Sequence, residues 1–455
     1  MCFSPINTDL EREGIMTDNT STAAGAARAI AEGRLSSVGL VTANLDRIAA
    51  RDDTVRAWLH VARDQALALA AERDRERAAG TLRGPLHGVP FGVKDVIDVA
   101  GQPGTHNSPL HADRVAVDDA GCVALLRAAG GIPLGKTDTI EFAAGGRLPL
   151  TRNPHNPKHT AGGSSSGSGA AVADLQVSIA LGTQTGGSVI RPAAYCGVYG
   201  MKPTWGVVSR EGAKLYAATL DTIGWYGRSV EDVALVARVY GLISDPPPVV
   251  PQVAQLKIAV CRTPYSDHAA PEAVAALDRA VETLVKAGAR VVPLELPLEF
   301  DHLNDAKEAI MRGEGRAAFL PHARAYGEAL HDGLRGHAEN RAGITSARLK
   351  AALDYAAHCR LAFEAHYRGF DAVLTFSASG EADEGIGYTG DPMLQSLWTV
   401  LHVPVVAIPT QDGPSGLPLG VKLVGFRFAD AELLAVAQAV SRVIDPWFGQ
   451  LRIPG

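Results

Sequence analysis

Two serines and a lysine carry the chemistry that can be read in this chain. Ser164 stands in Ala161-Gly-Gly-Ser-Ser-Ser-Gly-Ser-Gly169, Ser188 closes Thr183-Gln-Thr-Gly-Gly-Ser188, and Lys94 lies in the apolar run Val89-Pro-Phe-Gly-Val-Lys94-Asp-Val. A serine hydroxyl is a poor nucleophile until a base takes its proton. A lysine stripped of water can be neutral at working pH and serve as that base. Together the three groups are the parts of a hydrolase that needs no histidine.

Each residue also has a plainer reading. Lys94 could snorkel from a strand edge with its ammonium in water, although apolar residues on both sides point instead to a dry cleft that lowers its pKa. The tract around Ser164 reads equally as a flexible polar loop. It also satisfies G-x-S-x-G, with Ser165 between Gly163 and Gly167, which is the nucleophile elbow of the α/β-hydrolases. An elbow must follow a buried strand, however, and here Asn153-Pro-His-Asn-Pro-Lys-His-Thr160 comes before it. A phosphate-binding loop fails because Ser168 stands where a lysine should meet the phosphates. Ahead of Ser188, Thr185, Gly186 and Gly187 can turn successive backbone N–H groups inward, since two glycines leave no Cβ in the way. Such a nest would hold a developing oxyanion, and the alternative is a tight turn before Val189-Ile-Arg-Pro192. The fourteen histidines offer no H-E-x-x-H pair and no cysteine-assisted zinc spacing, so neither a metal nor any other cofactor is expected. His155 and His159 sit among prolines and read as loop residues.

The elements that must position these groups alternate between strand and helix. Helical spacing covers Ala23 to Glu32 and Leu40 to Ala50, strand alternation covers Val55 to Val61, and an Ala- and Arg-rich helix runs from Asp64 to Ala79. A strand-like stretch at Gly88 to Val99, a helix at Ala120 to Gly130 and a strand at Ile132 to Thr137 follow, which indicates an α/β architecture. The glycine-dense centre, Asn153 to Lys202, encloses an apolar segment, Ala170 to Leu181. Ser244-Asp-Pro-Pro-Pro-Val-Val-Pro251 reads as a stiff linker, after which strand patterns recur at Leu256 to Cys261, Ala289 to Leu296, Asp371 to Phe376, Val403 to Pro409 and Gly416 to Gly425, with a final helix. The linker leaves open one large core or two domains. Trp205 to Trp225, Tyr216, Tyr226 and the stretch Gly380 to Trp398 are expected to wall a pocket.

Composition narrows the class. Of 455 residues 46% are hydrophobic and 20% charged, with 43 basic against 49 acidic side chains for a net charge of −6. Nothing in that balance draws the chain to nucleic acid or an anionic membrane, and it suits a small-molecule substrate. The five cysteines are scattered without C-x-x-C spacing, which fits a reducing cytoplasm. No run approaches the length of a membrane span, and residues 1–18 are expected to be a flexible leader ahead of one domain over 19–455.

Lys94, Ser164 and Ser188 in this order, with Gly162-Gly163-Ser164-Ser165 and Gly186-Gly187-Ser188, resemble the amidase signature family. The resemblance extends from Gly84-Pro-Leu-His-Gly-Val-Pro90 through Gly135-Lys-Thr-Asp-Thr-Ile-Glu-Phe-Ala143 and Cys196-Gly-Val-Tyr-Gly-Met-Lys-Pro203 to Gly416–Gly425. It implies a single α/β/α domain with a large central mixed sheet flanked by helices, and a Ser-cisSer-Lys triad acting through an acyl-enzyme. Ser188 would be the nucleophile, Ser164 the bridging serine after a cis peptide at Gly163–Ser164, and Lys94 the base. Ser165 would support them by hydrogen bonding, and Thr185, Gly186, Gly187 and Ser188 would form the oxyanion hole. Many members carry Asp at the position of Gln184 and an Ile-Arg pair directly after the nucleophile. Here the run Ser188-Val-Ile-Arg191 looks most like the malonamidase branch, in which the arginine meets a substrate carboxylate, the alternative being a structural arginine that bonds loop carbonyls. The substrate expected is a small amide, cleaved by a monomer or homodimer. Carbamates (urethanes), aryl-acylamides and esters are the second option, and an A-like subunit of glutamyl-tRNA amidotransferase or a non-catalytic ligand-binding relative ranks lower.

Overall fold

The computed structural model describes residues 19–450, 452 and 454. The leader expected over 1–18 lies outside the described residues. Eleven strands form one sheet: β1 (Trp58–Val61), β2 (Pro90–Lys94), β3 (Ile132–Thr137), β4 (Ile179–Gln184), β5 (Tyr199–Lys202), β6 (Thr222–Gly227), β7 (Lys257–Val260), β8 (Arg290–Pro293), β9 (Ala372–Phe376), β10 (Val405–Asp412) and β11 (Pro418–Val424). Their spatial order is β1-β3-β2-β4-β6-β5-β10-β11-β9-β7-β8. β3, β2 and β4 run parallel, as do β9, β7 and β8, while the pairs between these two groups are antiparallel. The sheet is therefore mixed.

Period-two alternation sends neighbouring side chains into two separate cores. Phe91, Val93, Ile179, Leu181, Leu374, Val421 and Leu423 join one cluster with Val233, Leu277 and Leu433 of helices Val230–Val239, Pro271–Lys286 and Asp430–Ile444. Leu134, Ala180, Tyr226, Val373 and Ala407 join the other with Val172, Ile310 and Phe363 of helices Ser166–Ala173, Leu303–Tyr326 and Ser346–His366. Helices thus cover both faces of a sheet whose central strands are buried throughout, giving one α/β/α domain. The Ser244–Pro251 run links elements within that domain, because β7 rejoins the sheet that β6 belongs to.

Three expectations change. Helix Ser37–Val55 runs further than its apolar spacing suggested and ends at Arg56 in a left-handed conformation, φ 54°, so the strand that follows starts only at Trp58. β5 and β6 went unread because Tyr199–Lys202 and Thr222–Gly227 have no alternating polar side: both are buried on both faces. For the same reason Trp225 does not wall a pocket. It is fully buried in the sheet, its ring nitrogen donating to Val233 O.

The apolar segment after the glycine tract splits into helix Ser166–Ala173, buried along its whole length, and β4. The helix can lie this close because Gly167 has no side chain: a Cβ there would fall 2.2 Å from Ala57 O and 2.4 Å from Asp138 N. Gly167 therefore belongs to packing rather than to a nucleophile elbow. Gly167→Ala is expected to destabilise the protein by about 2 kcal/mol or more, read as a lower urea midpoint; a midpoint within error of wild type would contradict this packing.

Candidate active site

β2 and β4 lie side by side and parallel, with Phe91 opposite Ile179 and Val93 opposite Leu181. Their carboxyl ends therefore come together, the place where open α/β sheets collect ligand-binding groups. Lys94 is the last residue of β2 and is fully buried. Its Nζ lies 2.7 Å from Ser164 Oγ, 2.7 Å from Thr183 Oγ1 and 3.4 Å from Thr183 O. Among the described residues no carboxylate is within hydrogen-bonding distance. Desolvation holds the amine well below the ordinary lysine range, and the charge of Asp221 opposes that only in part.

The partners of Lys94 set it apart from the other fully buried lysines among the described residues. Lys136 has a carboxylate, Asp95, at 3.2 Å. Lys202 donates to the carbonyls of Pro203 and Val403, and Lys422 to that of Leu394. A carbonyl only accepts, whereas a hydroxyl accepts and donates. Lys94 alone of the four touches hydroxyl groups through which a proton can move on.

The serine tract is a set of buried anchors. The Gly163–Ser164 peptide is cis, and Ser164 O accepts from Ile140 N at 3.3 Å. Ser165 Oγ donates to Thr183 O and accepts from Thr183 N, both at 3.2 Å, tying the tract to the end of β4. Ser168 Oγ donates to Leu181 O at 2.8 Å and meets Thr137 Oγ1 at 2.7 Å. These contacts exclude the flexible-loop reading of the tract.

Ser188 sits in the turn between β4 and helix Ile190–Cys196. Within residues 182–191 it alone is not buried. Three successive carbonyls here are held. Gly186 O accepts from Thr399 Oγ1 at 2.7 Å, Gly187 O from Arg191 N at 2.9 Å, and Ser188 O from Tyr226 OH at 3.3 Å. Gln184 Oε1 takes the N–H groups of Val189 and Ile190 at 2.8 and 3.1 Å. Among the described residues no acceptor meets the N–H groups of Gly186, Gly187 or Ser188. Three successive N–H donors without an acceptor thus adjoin a half-buried serine, the kind of groups an oxyanion requires.

Gln184, expected among the supporting or substrate-binding residues, is bonded into the scaffold in the structure. Its Nε2 donates to Thr399 Oγ1 at 3.0 Å while its oxygen holds the start of the following helix. Arg191 is both structural and open: Nη2 donates to Gly163 O at 2.6 Å, while Nε and Nη1 are buried with no partner. Three contributors were missed. Thr183 was in the quoted run but unremarked. Thr399 and Asp221 carry no local signal. Asp221 accepts from Thr185 Oγ1 at 2.5 Å and from the N–H groups of Tyr216 and Ala217, and burial raises its pKa.

A family model for amidases matches residues 39–434. The chain belongs to the amidase signature family. It is 34% identical to the glutamyl-tRNA(Gln) amidotransferase A subunit of Roseiflexus castenholzii over 93% of this chain and 96% of that one. Among solved amidase-signature structures, a peptide amidase bound to the competitive inhibitor chymostatin superposes with a TM-score of 0.81 at 29% identity, covering 96% and 99% of the two chains. A chain from a vestigial protein complex tied to the origins of an s-triazine catabolic enzyme gives 0.83 at 30% identity, covering 94% and 98%.

Gln184→Leu keeps the volume of that amidase-signature residue but strands two helix N–H groups. It is expected to cost about 1–3 kcal/mol of stability and to lower kcat more than it raises KM, because the donors of the loop lose their orientation. A rise in KM alone would return Gln184 to substrate binding.

Proposed function

We propose that this amidase-family hydrolase of C–N bonds cleaves small amides through Ser188, with Ser164 as the bridge and Lys94 as the base. The observation that carries the reading is the dry amine of Lys94 with two hydroxyls 2.7 Å away and, among the described residues, no carboxylate in contact. Neutral Lys94 accepts the Ser164 proton while Ser164 takes that of Ser188, and Ser188 Oγ attacks the substrate carbonyl. The N–H groups of Gly186, Gly187 and Ser188, with the loop of Thr185, receive the oxyanion. The leaving amine departs with the proton returned through Ser164. Water then attacks the acyl-enzyme, the same relay removing its proton, so one amide and one water give one carboxylic acid and one amine. Ser165 holds the relay in register with β4. Arg191 receives an oxygen of the acyl part, a carboxylate or a carbonyl, on its two free nitrogens.

A carbamate or an aryl-acylamide presents its carbonyl in the same way and is the alternative substrate for the same relay. A second reading, an A-type amidotransferase component that releases ammonia from glutamine for a partner, is supported by the relatives of that name that match along nearly the whole chain. Measurable hydrolysis of simple amides by the isolated chain favours the first reading, and glutamine hydrolysis appearing only with a partner protein favours the second. No helix among the described residues is long and apolar enough to cross a membrane. Cys122, Cys196, Cys261 and Cys359 are free, buried thiols, which supports a reducing cytoplasm as the compartment.

Lys94→Ala is expected to leave the fold intact and to reduce kcat/KM by about 10²- to 10⁴-fold. Fluorophosphonate should label Ser188 in wild type, and wild-type turnover in the variant would end the proposal. The pH profile supplies a second check. Only the neutral amine is a base, so activity falls as pH drops through the lowered pKa of Lys94. The negative charge of Asp221 raises that pKa, so Asp221→Asn should move the acidic limb to lower pH; a limb that stays put or moves up would remove Lys94 from the titration.

A further inference from the structure

Helix Leu303–Tyr326 brings a lysine against the loop that carries Ser188. A Cβ on Gly186 would fall 3.4 Å from Lys307 Cε and 3.6 Å from Lys307 Nζ, so the ammonium end of that side chain, rather than its stem, packs on the glycine. Gly186 is the first of the three residues whose N–H groups meet no acceptor among the described residues. Lys307 Nζ donates to Glu308 Oε1 at 2.7 Å, and Arg312 Nε donates to Glu308 Oε2 at 2.9 Å. Lys307 thus has the carboxylate partner that Lys94 lacks. Desolvation works against the Glu308 carboxylate, yet the charges and hydrogen bonds of Lys307 and Arg312 bring its pKa below the ordinary value, as an ion pair requires. The two ends of this pair are not equivalent. The Lys307 side chain is 7% exposed and that of Glu308 is 44% exposed. Water screens the carboxylate, which Arg312 also shares, whereas the field of the buried ammonium reaches the loop with little screening. The potential over Gly186 is therefore positive.

We infer that the Lys307 ammonium supports the oxyanion electrostatically, adding a full positive charge behind the N–H donors of the Ser188 loop. Those donors fix where the substrate oxygen sits, and the charge favours the negative form of that oxygen over the neutral carbonyl. Lys307 gains little from a planar, uncharged substrate, so its effect appears as the barrier is climbed rather than on binding. It acts across the Gly186 backbone and exchanges no proton, which makes it a positioning residue. Two lysines then divide the electrostatics of the site: Lys94, among hydroxyls, serves as the base, and Lys307, beside a carboxylate, serves as the charge. The inference rests on the hydrolase reading, because the oxyanion in question is the one that attack by Ser188 creates.

The test measures kcat and KM of wild type, Lys307→Met, Lys307→Arg and Glu308→Gln on nitroacetanilide and benzamide, with inhibition by trifluoroacetophenone and acetophenone. Lys307→Met should lower kcat about tenfold or more and leave KM within about threefold of wild type. Trifluoroacetophenone, whose adduct with a serine carries an oxyanion, should lose about tenfold in affinity for that variant. Acetophenone stays planar and neutral and should bind as before. Lys307→Arg should keep most of kcat. Glu308→Gln removes the opposing charge and should match or exceed wild-type kcat. An unchanged kcat in Lys307→Met, a loss confined to KM, or an equal loss in Glu308→Gln overturns the inference, the last because it marks an ion pair that only braces the helix. Should Lys307→Met fail to fold, Lys307→Gln keeps a donor for Glu308 while lacking the charge, and the same comparison decides. Fluorophosphonate labelling and amide turnover by wild type test the hydrolase reading separately. With both present, a failed comparison defeats the role of Lys307 alone; with both absent, the reading falls and the inference with it.

Discussion

The amine of Lys94 is held where a charge is costly and where its neighbours can carry a proton. Burying an ammonium without a counter-ion is among the most expensive steps in folding, and burial pushes the pKa of this amine well below the ordinary lysine range. Three other lysines are equally buried here, and their surroundings show what makes this one different. Lys136 is balanced by Asp95, and Lys202 and Lys422 are spent on carbonyls. Only Lys94 combines desolvation with hydroxyl partners. Asp221 stands far enough away to temper the shift without forming the ion pair that would restore the charge.

The rest of the site keeps that amine useful by holding the reacting loop rigid. The carbonyls of Gly186, Gly187 and Ser188 are each taken by a different element: Thr399 from the helix Met393–Val400, the backbone of Arg191, and Tyr226 from β6. The N–H groups of the same residues meet no acceptor among the described residues. Gln184 adds a fourth restraint by accepting from the backbone at the start of the helix after Ser188. Donors fixed in advance need no reorganisation when charge develops, which is how such loops lower a barrier. The glycines in the loop serve this packing as well, since Gln395, Arg191 and Ser396 press against the positions their Cβ atoms would occupy.

The chemistry-bearing residues were legible because they fall in short runs of unusual composition. Lys94 is flanked by apolar residues, and Ser164 and Ser188 lie in glycine-rich segments, so type and order alone suggested a relay. The third member of the hydroxyl set, Thr183, was in view but carried no signal of its own. Asp221, Thr399 and Gln395 were out of reach, because each is an ordinary polar residue far along the chain whose partner is chosen by the fold. β5 and β6 escaped for a different reason. A strand buried on both faces loses the alternation that marks a half-buried one, and Trp225 then reads as a pocket aromatic rather than as core.

Residue type, local spacing and periodicity are properties of short segments, so the linear chain was enough to reveal the amidase signature family, three candidate side chains and an α/β sheet to hold them. The bonding partners of Gln184 and Arg191 and the direction in which the Lys94 pKa is shifted emerged only once the chain was folded. Those depend on which distant groups are brought within hydrogen-bonding distance and on how completely water is removed, and both follow from packing across the whole sheet.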